Sequence, residues 1–202
     1  MTRLTRLSAM TICGLAVSAA HANLVVNGSF ESTAIGNNTY LTVTPGTAAV
    51  NLPGWTVSGT SVDMVSGPTR YPAYDGNQSI DLAGTPGPGG VEQMITTVVG
   101  EWYVIDFALG ENHEGTGNKA VDFTFGSHSE TLVGAVGQGN WLAFQRTIQA
   151  TSTSTLLSFT SPNQNFFGGL VDAVSVQAVP EPATMLGLAT AFGWALRRRK
   201  RN

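Results

Sequence analysis

The sequence predicts an all-β fold, specifically an antiparallel β-sandwich of the jelly-roll type. Short runs of alternating apolar and polar residues recur through the chain, which is the period of a half-buried strand. Clusters of Gly, Pro and Asn separate these runs, and no part of residues 23–179 has an apolar stripe with helical spacing. Many short strands joined by frequent turns are typical of sandwiches and jelly rolls.

The longest alternating run is predicted to turn four bulky side chains to the core, namely Tyr103, Ile105, Phe107 and Leu109. The same period recurs at residues 121–125, 142–144 and 157–159. Turn-forming residues are concentrated at 44–46, 52–54, 75–77, 85–90 and 137–140. Trp55 and Trp102 are expected in the core because indole rings bury large apolar areas.

Residues 1–22 predict a secretory signal peptide. The stretch begins with the basic residues Arg3 and Arg6 and continues with an apolar centre. It ends with the small residues Ala20 and Ala22 at the positions that a signal peptidase must accommodate. The alternative is an N-terminal helix of the fold, which would lack a polar face. Removal of the signal peptide leaves a single domain at residues 23–179.

The chain ends with a short apolar segment and a basic cluster. Residues 183–196 form a run of 14 residues without a charge. As a helix this run would be about 21 Å long, against a hydrocarbon core of about 30 Å. The basic residues 197–201 would hold its end at a cytoplasmic face. The segment is therefore predicted to insert transiently in a membrane and not to anchor the protein permanently.

Residues 180–202 resemble the PEP-CTERM sorting signal of Gram-negative bacteria. The resemblance rests on three consecutive parts: Pro180, Glu181 and Pro182; the apolar stretch; and the cluster that includes Arg197, Arg198 and Arg199. It implies export by the secretion machinery and cleavage near the Pro-Glu-Pro by an exosortase, an integral-membrane transpeptidase-like enzyme. It also implies a place on the outer surface or in the extracellular matrix, linked to exopolysaccharide and biofilm.

Charge and cysteine content exclude several classes of function. In residues 23–179 three basic residues face twelve Asp and Glu. Such a balance argues against nucleic acid as a partner, because phosphates require basic patches, and it is compatible with bound calcium. The only cysteine, Cys13, lies in the predicted signal peptide. Disulfides, thiolate catalysis and cysteine-based zinc sites are therefore excluded from the domain.

The domain resembles the choice-of-anchor C proteins and, more distantly, galactose-binding-like carbohydrate modules. The segments that carry the resemblance are residues 23–31, 53–57, 61–63, 75–82 and 170–176. It implies a jelly roll whose first and last strands lie close together, and an association with polysaccharide.

The same resemblance implies a structural calcium between the opening segment, residues 23–31, and the last strand. The ligands would be Asn27, Glu31 and Asp172, with backbone carbonyls near Asn27 and Gly28 and help from Asp81. Alternation adds a separate argument, because a carboxylate at position 172 would share its face with three apolar residues and would need a partner. Those three residues are Leu170, Val174 and Val176. The alternatives to calcium are a hydrogen-bonded acid, or a solvated one if residues 171 and 173 are turned inward.

A sugar-binding site requires an exposed aromatic face beside hydrogen-bonding groups. Arg70, Tyr71 and Tyr74 lie in a predicted loop, where binding residues concentrate. Trp141 is another candidate at the start of a strand. The alternative is that these rings pack in the fold and keep only their polar tips wet.

The sequence does not predict an enzyme. The acids Glu92, Glu101, Glu111 and Glu114 show no spacing that marks a catalytic pair. The leading interpretation is a non-catalytic extracellular matrix or cell-surface protein that associates with exopolysaccharide through a lectin-like site. The alternative is a purely structural surface protein without glycan recognition, and a polysaccharide-degrading enzyme comes third.

Overall fold

The computed structural model describes residues 22–116, 119–163 and 166–179. The predicted cleavage residue Ala20 and the predicted sorting residues Pro180, Glu181, Pro182, Arg197, Arg198 and Arg199 lie outside these ranges. Within them, no helix has the length and apolar character needed to cross a membrane.

The described residues form eleven strands and one short helix. In chain order they are β1 (Thr39–Val43), α1 (Ala48–Asn51), β2 (Thr56–Gly59), β3 (Val62–Ser66), β4 (Gln78–Asp81), β5 (Gly89–Thr96), β6 (Trp102–Glu111), β7 (Ala120–Phe125), β8 (His128–Val133), β9 (Leu142–Gln149), β10 (Ser154–Thr160) and β11 (Gly169–Ala178).

The strands form two sheets. The six-stranded sheet has the order β1-β3-β4-β11-β6-β9, and the five-stranded sheet has the order β2-β5-β10-β7-β8. All of the paired strands are antiparallel. The all-β antiparallel sandwich predicted from the sequence is confirmed.

The core lies between the two sheets. The four side chains predicted to point inward from β6 are all buried there. Phe107 packs against rings from three other strands: Phe123 at a centroid distance of 4.8 Å, Phe159 at 5.0 Å and Phe144 at 5.5 Å. Aromatic rings from both sheets therefore fill the centre of the sandwich.

The two ends of the domain lie side by side. The backbone N–H of Leu24 donates to the Val176 carbonyl at 2.9 Å, and that of Val174 donates to the Gly28 carbonyl at 2.9 Å. The opening segment thus runs antiparallel to β11. The ends of the domain are therefore close, but the opening segment is not a strand, and the first strand, β1, is separated from β11 by β3 and β4, so the implied closeness of first and last strands is not what the structure shows.

The alternation of β11 breaks at a bulge between Asp172 and Ser175. Ala173 takes a left-handed conformation there, with φ of 51°. The extra residue moves the later side chains to the other face, so Val174 and Val176 point into the core.

The structure agrees with the hydrogen-bonded acid, because the buried carboxylate of Asp172 accepts three backbone N–H bonds, whereas neither regular alternation predicted for this strand continues past the bulge. Its carboxylate does not share a face with Val174 and Val176, and it is buried instead of solvated. Leu170, on the same side of the strand, packs in a second apolar cluster outside the sandwich core.

Candidate functional site

The tyrosine loop, residues 67–77 between β3 and β4, covers part of the outer face of the six-stranded sheet. Tyr71 packs with Val65 and Leu170, and Trp141 lies against this cluster. The indole Nε1 of Trp141 donates to the Pro72 carbonyl at 3.0 Å. The loop is therefore packed and hydrogen-bonded onto the sheet.

The carboxylate of Asp172 holds the middle of the tyrosine loop. Its Oδ2 accepts the N–H of Tyr74 at 2.8 Å and of Asp75 at 2.9 Å, and its Oδ1 accepts the N–H of Ala173 at 2.6 Å. Burial raises the pKa of Asp172 to about 7, although the three backbone donors oppose this rise.

Glu31 holds the end of the same loop. Its Oε1 accepts the N–H of Asn77 at 2.7 Å and of Gln78 at 2.6 Å. Gly76 has φ of 74°, and a Cβ there would lie 2.6 Å from the Oε1 of Glu31. Only glycine suits both the conformation and the contact. Glu31 and Asp172 therefore meet the same segment, residues 74–78.

The oxygens implied for calcium have other partners. The Asn27 carbonyl accepts the indole N–H of Trp55 at 2.9 Å, and the Asn27 Oδ1 accepts the N–H of Ser32 at 3.1 Å. The Gly28 carbonyl accepts the N–H of Val174. In the described part of the chain, no group of three or more His, Cys, Asp or Glu side chains could hold a metal ion. Calcium binding stays a prediction.

A network of hydrogen-bonded side chains supports the first half of the tyrosine loop. Glu114 accepts the Nε of Arg70 at 2.7 Å, the Nη2 of Arg70 at 3.1 Å and the hydroxyl of Tyr71 at 2.7 Å. Asn112 accepts the N–H of Glu114 at 3.0 Å and donates to the buried Asp81 at 2.7 Å. The bond from Arg70 lowers the pKa of Glu114, whereas burial raises the pKa of Asp81 to about 7.

The four residues predicted to bind ligand separate into supporting and exposed positions. Tyr71 is only 4% exposed, so its ring cannot stack on a ligand and the expectation of two exposed tyrosines was wrong. The guanidinium of Arg70 lies 5.0 Å from the Tyr71 ring. Tyr74 is 50% exposed, and its ring meets the half-buried Trp141 edge-on at 6.2 Å. Tyr74 is thus the ring available to a ligand.

A groove of about 360 Å³ lies beside Tyr74 on the outer face of the six-stranded sheet. Its lining consists of Tyr74, Asp106, Phe107, Ala143, Phe144, Gln145 and Ala173. Asp106 and Gln145 face each other across β6 and β9, and the Nε2 of Gln145 donates to the Oδ1 of Asp106 at 2.8 Å. An exposed ring, small apolar residues and a carboxylate–amide pair can together bind a hydroxylated ligand.

Trp102 extends this outer face beyond the groove. Residues 102, 104 and 106 share one side of β6, and Trp102 is 49% exposed. Four residues along a strand place it about 13 Å from Asp106. The expectation of a core Trp102 was wrong, whereas Trp55 is buried as expected. The alternation that predicts the inward set of β6 also places Trp102 and Asp106 on the outward side of the strand, and this signal could have found both residues.

Two known families match two consecutive parts of the chain, the domain and the C-terminal segment. The family described as "Protein of unknown function (DUF642)" matches residues 23–177. The chain belongs to the DUF642 family. The PEP-CTERM protein-sorting motif matches residues 178–200. That motif implies exosortase processing, secretion, and an extracellular or surface location for this DUF642 protein.

Relatives and solved structures are similar to the DUF642 domain. Halomucin of Haloquadratum walsbyi is 33% identical over 174 residues, which are 82% of this chain and 2% of halomucin. The chain thus spans a small part of that relative. The structure described as "Family 16 Carbohydrate Binding Module-2" has a TM-score of 0.50 at 15% identity and covers 76% of this chain and 99% of its own. "Structure of TmCBM61 in complex with beta-1,4-galactotriose" has a TM-score of 0.48 at 12% identity, covering 78% and 99%. The DUF642 domain has the jelly-roll fold of carbohydrate-binding modules.

Proposed function

We propose that this DUF642 protein is a non-catalytic glycan-binding protein of the extracellular matrix or cell surface, with exopolysaccharide as its partner. The observation that carries the proposal is the exposed ring of Tyr74 at the rim of a groove that also contains Asp106 and Gln145. A sugar presents an apolar C–H face and a rim of hydroxyls. The aromatic ring would take the face, and the carboxylate–amide pair would bond the hydroxyls.

The ring of Tyr74 is held in place before any ligand arrives. Asp172 accepts the N–H of Tyr74 and of the next residue, and Trp141 packs against the ring. A preorganised contact loses less conformational entropy on binding than a mobile one. The supports of the tyrosine loop therefore favour ligand binding at this position.

The composition of the groove favours binding over hydrolysis. Its lining contains one carboxylate, Asp106, whereas glycosidases use a pair of carboxyl groups about 5–10 Å apart. His128 bonds Glu130 at 3.0 Å, and neither residue is part of the groove lining. A non-catalytic role is the simpler proposal for such a surface.

The route to the cell surface is proposed from the C-terminal segment. A Gram-negative producer would export the chain and hold residues 183–196 transiently in its inner membrane, because that apolar run is shorter than a bilayer core. Exosortase cleavage near the Pro-Glu-Pro would then deliver the domain to the outer surface or matrix. The match of the PEP-CTERM motif to residues 178–200 supports this route.

Affinity electrophoresis of the full chain in gels that contain the producer's own exopolysaccharide tests the proposal. We expect the polysaccharide to retard the protein and Tyr74→Ala to abolish most of the retardation. Tyr40→Ala is the matched control, because Tyr40 is equally exposed, at 49%, on the edge strand β1 and outside the groove. It should migrate like the unchanged protein.

The alternatives give different results in the same experiment. Unretarded migration of folded protein would overturn glycan binding and favour a purely structural surface protein. Release of reducing ends from the polysaccharide would identify an enzyme. Equal loss of retardation in both tyrosine variants would show that the groove is not the site.

A further inference from the structure

All three basic side chains of residues 23–179 are engaged within the domain. The Nε of Arg70 lies 2.7 Å from Glu114, and the Nε of Arg146 lies 2.6 Å from Glu130. Lys119 is 3% exposed, and its Nζ donates to a backbone carbonyl at 2.7 Å. Neither the arginines nor the lysine belongs to the groove beside Tyr74.

The groove itself carries negative charge. Asp106 is the one charged residue of its lining, and the whole domain has twelve acidic residues against three basic ones. Arg146 donates to the carbonyl of the lining residue Gln145, but its charge is paired with Glu130. A cleft lined by an unpaired carboxylate charge repels anions and attracts cations.

We propose that this groove binds sugars without carboxylate or sulfate groups, and that a free amino group on the sugar strengthens binding. This inference rests on the proposed glycan site. Uronic acids and sulfated sugars would place an anion near Asp106, while Arg146, which bonds the carbonyl of Gln145, is already paired with Glu130. An unpaired and partly desolvated charge is unfavourable. A protonated amino sugar would instead form a charge-assisted hydrogen bond with the carboxylate of Asp106. The face of the Tyr74 ring also favours a cation.

The test compares charge variants of one polysaccharide backbone. Amylose, β-1,4-glucan and β-1,4-galactan, which all have a free C6 hydroxyl, are each prepared in neutral, amino-substituted and C6-carboxylated forms. The affinity of the full chain for each form is measured at low and at high salt. On every backbone that binds, we expect the carboxylated form to bind at least about tenfold more weakly than the amino form, a difference of about 1.4 kcal/mol. High salt should narrow this difference.

Two variants separate a groove effect from the charge of the whole protein. Asp106→Asn and Asp122→Asn remove the same charge, but Asp122 lies on β7 of the five-stranded sheet and bonds Thr131. We expect Asp106→Asn to reduce the ratio of amino to carboxylated affinity severalfold and Asp122→Asn to leave it unchanged.

The outcomes distinguish this inference from the proposed function. Equal affinity for all charge forms, or preference for the carboxylated form, would overturn the charge selection while glycan binding stands. An equal effect of both Asn variants would assign the selection to the overall charge and overturn the role of Asp106. Failure of every form to bind would overturn the selection, and it would overturn the proposed function as well if the producer's exopolysaccharide also fails to retard the protein.

Discussion

Tyr71 and Tyr74 lie in one loop, three residues apart, and face different surroundings. Tyr71 is packed against Val65 and Leu170 and bonds Glu114, whereas half of Tyr74 is open to solvent. We expect Tyr71→Ala to lower the free energy of unfolding by about 3–5 kcal/mol, the usual effect of removing a buried aromatic ring. Tyr74→Ala should change it by less than about 0.5 kcal/mol, as is usual at surface positions.

Urea titration followed by tryptophan fluorescence measures both effects. Tyr71→Phe is the control for packing, because it removes only the hydroxyl that donates to Glu114. It should cost about 1–3 kcal/mol, the range for loss of a hydrogen bond to a charged group. If Tyr74→Ala is as unstable as Tyr71→Ala, the conclusion that Tyr71 supports the fold while Tyr74 is free to contact a ligand would be contradicted.

The buried carboxyl of Asp81 makes stability depend on pH. Its ordinary pKa of 3.8 applies in the unfolded chain, and burial raises the pKa to about 7 in the fold. Between these values the folded state binds more protons than the unfolded state, so stability falls as the pH rises. Asp172 behaves in the same direction. Glu130, whose pKa Arg146 lowers to about 2, is ionised in both states above pH 5 and adds little slope there.

We therefore expect a higher melting temperature at pH 5 than at pH 8, by several degrees. A pKa difference of one corresponds to about 1.4 kcal/mol, and 1 kcal/mol moves the melting temperature of a domain of this size by about 2–4 °C. Asp81→Asn should weaken the dependence, with Asp172 still contributing, whereas Asp122→Asn should leave it unchanged. Melting temperatures that rise from pH 5 to pH 8 would contradict the assignment.

At the scale of elements, the bulge in β11 sets the position of Asp172 under the tyrosine loop. Ala173 lies in this bulge and has a left-handed φ of 51°. That conformation costs a non-glycine residue about 1–2 kcal/mol. We expect Ala173→Gly to raise stability by about 0.5–1 kcal/mol, since glycine loses part of that gain as unfolded-state entropy. In thermal melts the control Ala143→Gly, in β9, should lower stability by about 0.5–1 kcal/mol. Destabilisation by both changes would argue against strain at Ala173.

The seam between the opening segment and β11 is where we propose calcium. Glu31 and Asp172 both meet residues 74–78, and carboxylates are calcium ligands. An ion that binds only the folded state raises its melting temperature, so calcium should stabilise the protein relative to EDTA, and Asp172→Asn should remove the effect. Identical melts of the unchanged protein in calcium and EDTA would refute the proposal.

The sequence predicted the regular strands, but it did not predict how a bulge and a loop place side chains over the sheet. Alternation predicted the inward set of β6 because residues 102–109 pair with β9 in regular register. It failed at Asp172, because a bulge has no signature in the order of apolar residues. It could not place Tyr71, because insertion between Val65 and Leu170 depends on how the loop crosses the sheet. The sequence therefore indicated the loop that contributes Tyr74 to the proposed site, but it did not indicate the sheet residues Asp106 and Gln145.

At the scale of the whole molecule, residues 23–179 form one domain. Its two sheets share one core, and the family matches residues 23–177. We expect residues 23–179 produced alone to unfold in a single transition, with the same midpoint as the full chain, because single domains of this size are usually two-state. Calorimetry tests this expectation. A lower midpoint, or a second transition in the full chain, would show that the end segments contribute to the fold.

The neighbouring ends of the domain also decide how it responds to tension. The opening segment and β11 run antiparallel and are joined by bonds such as Leu24 N–H to the Val176 carbonyl. Hydrogen bonds between antiparallel strands lie across the strands. A force applied at residues 23 and 179 therefore loads them one after another, as a zipper opens. The domain should yield gradually from this seam when pulled by its two ends, and a protein held by its C-terminal end alone would carry no such load.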